Sequence, residues 1–157
     1  MRSIVFTTAL TASIFLAYAA PSTAAEPVAC TVLTLAQIGA ATGAKMDDGK
    51  PIARPGTCQW FGTGKIVTLT FNVPRAGKSP VDQFTEGKKS MPGVTVEPVS
   101  GVGDDAYYVF FAGSKRAGCG ILVKKGTSVF EIRVYGFDLD KAKPVAKTLA
   151  QNAVTKF

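Results

Sequence analysis

Residues 65 to 73 alternate strictly, with Val67, Leu69, Phe71 and Val73 facing one way and Ile66, Thr68, Thr70 and Asn72 the other. Period-two alternation is the pattern of a strand with one covered face. Gly62-Thr63-Gly64 just before it turns the chain back onto Cys58 to Phe61, which makes a hairpin. The same grammar recurs downstream. Val94 to Val99 alternates, Gly101 to Asp105 reads as a turn, and Ala106 to Phe111 is an aromatic strand in which Tyr107, Val109 and Phe111 share a face. Gly120 to Lys124 and Val129 to Tyr135 form a second hairpin around Lys125-Gly126-Thr127, with Phe130, Ile132 and Val134 toward the core.

Helices punctuate this series. Thr34 is an N-cap and Gly43 a stop for a short helix between them. Ser79 and Pro80 open a second over Pro80 to Ser90, whose apolar face is thin (Val81, Phe84). A third runs from about Lys141 to Lys156, with Ala142, Ala146, Leu149, Ala150, Ala153 and Phe157 as its stripe and Pro144 near its first turn. Residues 44 to 57, rich in charge, Gly and Pro, read as an excursion loop. The expected fold is α+β: an antiparallel sheet of about six strands with helices packed on one face. Cys58 to Val73 and Cys119 to Val134 have equal spacing, which suggests a (ββα) pseudo-repeat.

The first 25 residues have the parts of a cleavable signal peptide: Arg2, an apolar run from Ile4 to Ala20, and Ser22-Thr23-Ala24-Ala25 before Glu26. The expected organisation is therefore a signal peptide over 1–25 and a single domain over 26–157, periplasmic or secreted. A lipid anchor on Cys30 is the alternative use of that cysteine, although Pro27 sits where a lipobox wants a leucine-like residue. Losing Arg2 lowers the formal charge of +7 by one. The lysines are scattered in small groups rather than in a run, which suits solvated faces and at most peripheral contact with an anionic membrane surface. Nucleic acid is not an expected partner.

The chain has no histidine, which excludes Ser-His-Asp and Cys-His catalysis, HExxH zinc sites and histidine-ligated haem. Three cysteines are too few for a four-thiolate zinc site within one chain. In an oxidising compartment two of them pair, and the expected bridge is Cys30 to Cys58, with Trp60 on the same strand face as Cys58. Cys119 is left as a candidate free thiol. Lys115 and Arg116 beside it would lower its pKa, whereas burial at the start of a strand, or pairing with another cysteine, would silence it.

A cysteine past the leader, Leu33-Thr34 opening a helix that ends in Thr42-Gly43, Cys58-Gln59-Trp60, the segment Gly101-Val102-Gly103-Asp104-Asp105-Ala106-Tyr107 and an alanine-rich closing helix occur here in order. Together they resemble the secreted DUF3558-like domains, found as small bacterial lipoproteins and similar to extracellular sensor domains of receptor kinases. The resemblance implies an α+β fold, an envelope location and a staple with Cys30 and Cys58 at the matching positions. It carries no catalytic residues.

Gly101-Val102-Gly103 leads into a strand and so is no nucleotide loop. The pairs Asp47-Asp48, Asp104-Asp105 and Asp138/Asp140 suit turns and helix starts, and no calcium-loop spacing is present. No catalytic residue, cofactor or metal is expected. The leading expectation is a non-catalytic exported binding or interaction module for an envelope protein or small ligand. Its candidate surface is Tyr108 and Phe110 of the aromatic strand with Lys115, Arg116, Lys124 and Lys125. The other readings are a thiol-dependent activity at Cys119, and an inhibitor of an envelope or host enzyme that presents the 44 to 57 loop.

Overall fold

A computed structural model describes residues 28–54, 56–89, 92–110 and 118–157. The leader over 1–25, Phe111, Lys115 and Arg116 lie outside the described residues.

The two hairpins form as their turns dictate. Strand β2 (Thr57–Gly62) pairs with β3 (Lys65–Phe71) around Thr63-Gly64, with Gly62 opposite Lys65. Strand β6 (Cys119–Lys125) pairs with β7 (Ser128–Tyr135) around Gly126-Thr127, where Gly126 takes φ +57°, a value that favours glycine. The hairpins join through β3 and β7, in register from Ile66↔Tyr135 to Phe71↔Phe130. Strands β5 (Asp105–Phe110) and β4 (Thr95–Val99) extend the sheet beyond β6. A two-residue edge strand, β1 (Lys50–Pro51), flanks β2 within the segment expected to be an excursion loop. The result is one antiparallel sheet of seven strands in the order β1-β2-β3-β7-β6-β5-β4.

One face of this sheet is apolar from β2 to β5. It presents Trp60, Val67, Leu69, Ile132, Val134, Ile121, Val123 and Ala106, all buried. Helix α4 (Leu139–Val154) covers it with the expected stripe of Ala142, Ala146, Leu149, Ala150 and Ala153. Small residues let the helix approach the sheet closely, and Phe157 then stacks on Phe130 with ring centroids 5.1 Å apart. The helix begins two residues before Lys141, so Pro144 stands in its second turn. There it removes only the hydrogen bond that would have reached the carbonyl of Asp140. Helix α2 (Leu35–Thr42) packs beside α4; Thr34 and Gln37 close a reciprocal capping box, and Gly43 ends it at φ +62°.

A short helix not anticipated from the sequence, α1 (Ala29–Val32), carries Cys30 onto the same face, where it forms the expected disulfide with Cys58. Gly49 lies against that staple. A Cβ there would overlap the Trp60 ring and come within 2.8 Å of Cys58 Sγ, so indole, sulfur and backbone form one tight contact.

Helix α3 (Pro80–Lys89) departs from the one-sided expectation. Ser79 and Asp82 cap it reciprocally, and Phe84 packs on Tyr107, Val109, Leu122 and Val129, which project from the opposite face of the sheet. The thin apolar face is sufficient because it need cover only the β5–β6 end. With α3 and α4 on opposite faces, the two hairpins are not followed by equivalent helices, so the (ββα) pseudo-repeat does not extend past the strands.

The Cys30–Cys58 bridge closes a separation of 28 residues. Replacing both cysteines by serine should lower unfolding stability by about 3–4 kcal/mol on the chain-entropy account. Urea denaturation of the oxidised protein and the double variant measures this. A loss below about 1 kcal/mol would mean that the β2 ladder alone fixes the N-terminal segment.

Candidate functional site

The structure does not assemble the surface expected from the aromatic strand. Tyr108 is buried beneath α4, where its hydroxyl donates to the carbonyl of Lys143 at 3.0 Å. Phe110 is half-buried on the same side, with Lys143 Nζ 4.6 Å above its ring. Tyr107 and Val109 face α3, so the strand is covered on both sides. Lys124 pairs with Asp105, at the end of β5 remote from Phe110, which pairs with Cys119. Five residues of strand, roughly 17 Å, therefore separate Phe110 from Lys124 and Lys125. Lys125 is engaged with Asp104 at 2.9 Å. Lys115 and Arg116 lie outside the described residues.

Cys119 is free and fully buried, and its thiol donates to the Gly120 carbonyl. Burial, only partly offset by Lys143, pushes its pKa from 9.0 up to about 11, the reverse of what an activated nucleophile needs. The described residues of the 44 to 57 segment are tied to the sheet at several points, although residues 50–54 stay exposed. The Asp47 N–H donates to Phe61 O at 2.7 Å, Met46 bridges Gly62, and β1 pairs with β2.

An open site exists where α3 stops. Its helix covers the outer sheet face over β5, β6 and the start of β7, leaving the outer face of β2, β3 and the rest of β7 as a groove of about 440 Å³. Strand register sorts its floor into two rows. One runs Gln59–Thr68–Arg133–Gly120 and the other Thr57–Thr70–Glu131–Leu122. Ile66 and Tyr135 form one end, and Ile52 and Arg54, just past β1, form a wall.

The polar groups of this floor are organised. Thr57 donates to Thr70 at 3.2 Å, and Gln59 Nε2 donates to Thr68 Oγ1 at 3.2 Å. Arg133 Nε donates to Glu131, whose residue is only 8% exposed, while the Arg133 side chain stays 43% exposed. Burial works against the charge of Arg133, but Glu131 and Tyr135 outweigh it and hold the pKa above its ordinary value. Gly120 makes room for the pair. A Cβ there would stand 2.7 Å from Val109 Cγ2 and 3.0 Å from Glu131 Oε1.

The one carboxylate of the groove lining, Glu131, is committed to a guanidinium, and the lining hydroxyls are those of Thr57, Thr68, Thr70 and Tyr135. Among the described residues, no group of three Cys, Asp or Glu side chains gathers as a metal site. The sequence signal for the groove was the polar alternate face of β3, Thr68 and Thr70, and the Phe130-Glu131-Ile132-Arg133 alternation in β7. Only register across β3 and β7 brings them together.

No family model matches the chain, and comparisons with curated proteins and with solved structures also yield no match.

Two outcomes are expected. Gly120→Ala should destabilise the fold by about 1–3 kcal/mol through overpacking against Val109 and Glu131, read by denaturant unfolding; a neutral variant would show that the pair shifts freely. Cys119 should resist iodoacetamide in the native protein and label only on unfolding. With a raised folded-state pKa, its contribution to stability is complete below pH 9 and lost as pH rises toward about 11; Tyr107, pushed up to about 12 by burial and then by Glu131, extends the decline. A thermal midpoint that stays level from pH 8 to 11 would contradict this.

Proposed function

We propose that the mature protein is a non-catalytic exported binding module, periplasmic or secreted, whose ligand occupies the groove over β2, β3 and β7. The observation that carries this reading is the Glu131–Arg133 pair set into the groove floor. Glu131, at 8% exposure, gives up hydration that pairing with the more exposed Arg133 only partly restores, and an apolar residue of similar size would serve that part of the sheet face at least as well. The presence of the pair, with room made for it at Gly120, is better explained by a partner that uses the exposed edge of Arg133.

The disulfide is compatible with export, and no described helix is long and apolar enough to cross a membrane. The likeness to secreted DUF3558-like domains supports an envelope location. Thiol chemistry at Cys119 has no support from its buried position and raised pKa, and the pinned 44 to 57 segment does not favour an inhibitory loop.

Native mass spectrometry of protein isolated from its own envelope should show added mass that disappears on denaturation. Thr68→Trp, which fills the groove, should remove it. If both proteins carry the same added mass, the ligand sits elsewhere. If neither does, and no small molecule moves the amides of β2, β3 and β7, the groove is not a binding site.

A further inference from the structure

We infer that the groove takes a small, singly anionic, hydroxyl-rich acid, with its carboxylate on Arg133 and its hydroxyls on Gln59, Thr68 and Tyr135. The inference rests on the proposed binding role of the groove and specifies what is bound there.

Charge sets the sign and limits the number. Among the residues that line the groove, Arg54 and Arg133 oppose Glu131, leaving a single net positive charge. A cation would meet two guanidinium groups. A dianion would meet the Glu131 carboxylate, which is fixed beside Arg133 and nearly buried. The Arg133 Nε is used by Glu131, which restrains the guanidinium, and 43% of the side chain remains exposed, beside Tyr135, for a carboxylate to meet.

The rest of the lining calls for hydroxyls. Thr57, Gln59, Thr68, Thr70 and Tyr135 bring hydroxyl or amide groups to the same floor. Thr57 and Thr70 are buried and satisfy each other, but an apolar ligand would strip water from Gln59, Thr68 and Tyr135 and offer no replacement hydrogen bonds. Gln59 uses one of its two amide N–H bonds on Thr68, so its Oε1 and the second N–H remain for a partner such as a sugar hydroxyl.

Register sets the length. Gln59 and Arg133 stand on the two sides of Thr68 in one cross-strand row. Their backbones are two strand spacings apart, about 10 Å, and both side chains are long. That backbone span and a groove of about 440 Å³ have room for one six-membered ring acid or its open-chain equivalent. An extended peptide is a poor fit, because the backbone groups of β2, β3 and β7 are already spent on one another and offer no free edge here.

The test uses the disulfide-intact mature chain, labelled for amide and arginine Nε–H spectra. It is titrated separately with glucuronate, gluconate, glucose and inorganic phosphate. The acids should shift the amides of the Gln59–Thr68–Arg133 row and the Arg133 Nε–H signal, binding at least about tenfold more tightly than glucose or phosphate. Arg133→Lys keeps a cation for Glu131 but loses the planar fork, and should weaken glucuronate about tenfold while the protein still unfolds cooperatively. Gln59→Leu, on the half-exposed face, should weaken both glucuronate and gluconate, whose hydroxyls lose a partner, and so narrow the gap between these acids and phosphate.

Equal binding of acids and glucose, or phosphate binding as tightly as the acids, overturns the ligand class but leaves a binding groove. Silence of all four probes at these amides overturns the ligand class; the native mass measurement on Thr68→Trp then decides separately whether the groove binds anything. Unchanged glucuronate binding by folded Arg133→Lys removes Arg133 from the anchoring role.

Discussion

The pairing of β3 with β7 is the contact on which the other elements depend. Each hairpin closes locally, but neither alone buries an apolar face. Their union, over six residue pairs from Ile66↔Tyr135 to Phe71↔Phe130, sets Val67, Leu69, Ile132 and Val134 into one continuous surface. That surface is what α4 covers, and Phe157 reaches past the helix end to stack on Phe130. The pairing joins residues far apart in the chain, so its loop-closure cost is repaid only when α4 docks and the layer becomes dry.

The same register acts on the other face with a different outcome. Alternation guarantees that an apolar inner set is matched by an outer set, and the outer residues of β5, β6 and early β7 are Tyr107, Val109, Leu122 and Val129. A helix with one deep anchor, Phe84, is enough to cover them, and the Tyr107 hydroxyl donates back to the Phe84 carbonyl at 3.2 Å. Beyond Val129 the outer residues become Glu131, Arg133 and Tyr135, and the helix has no apolar reason to continue over them. The groove is therefore the part of the sheet that the composition of its strands leaves uncovered.

Elements governed by neighbouring residues were legible in the sequence. The Thr34 and Gly43 caps, the alternation of β3, the stripe of α4 and the Cys30–Cys58 pairing all express local chemistry or simple parity, and each appears in the fold. What was not legible depends on which strands become neighbours. The aromatic strand looked half-exposed because only one helical layer was expected; α4 covers Tyr108 and packs over Phe110, while α3 covers Tyr107 and Val109 on the far face. Lys124 and Lys125 are close to Cys119 in sequence yet stand at the opposite end of β6. Conversely, Thr68 and Arg133 are distant in the chain and adjacent in the sheet, so no spacing rule could have joined them.

The staple and the groove are mechanically connected although they lie on opposite faces. Cys58 and Trp60 point into the core, while Thr57 and Gln59, their neighbours on β2, point into the groove. Fixing one set fixes the other, since a strand cannot rotate one face without the other. Gly49 packs its backbone against the Trp60 ring and the Cys58 sulfur, and this holds the start of β1 against the edge of β2. Three to five residues past the contact, just beyond β1, lie Ile52 and Arg54, which form the groove wall. Side-chain volume on Gly49 would separate β1 from β2 and carry Arg54 away from Arg133. A substitution made wholly on the core side would then open the site on the outer face.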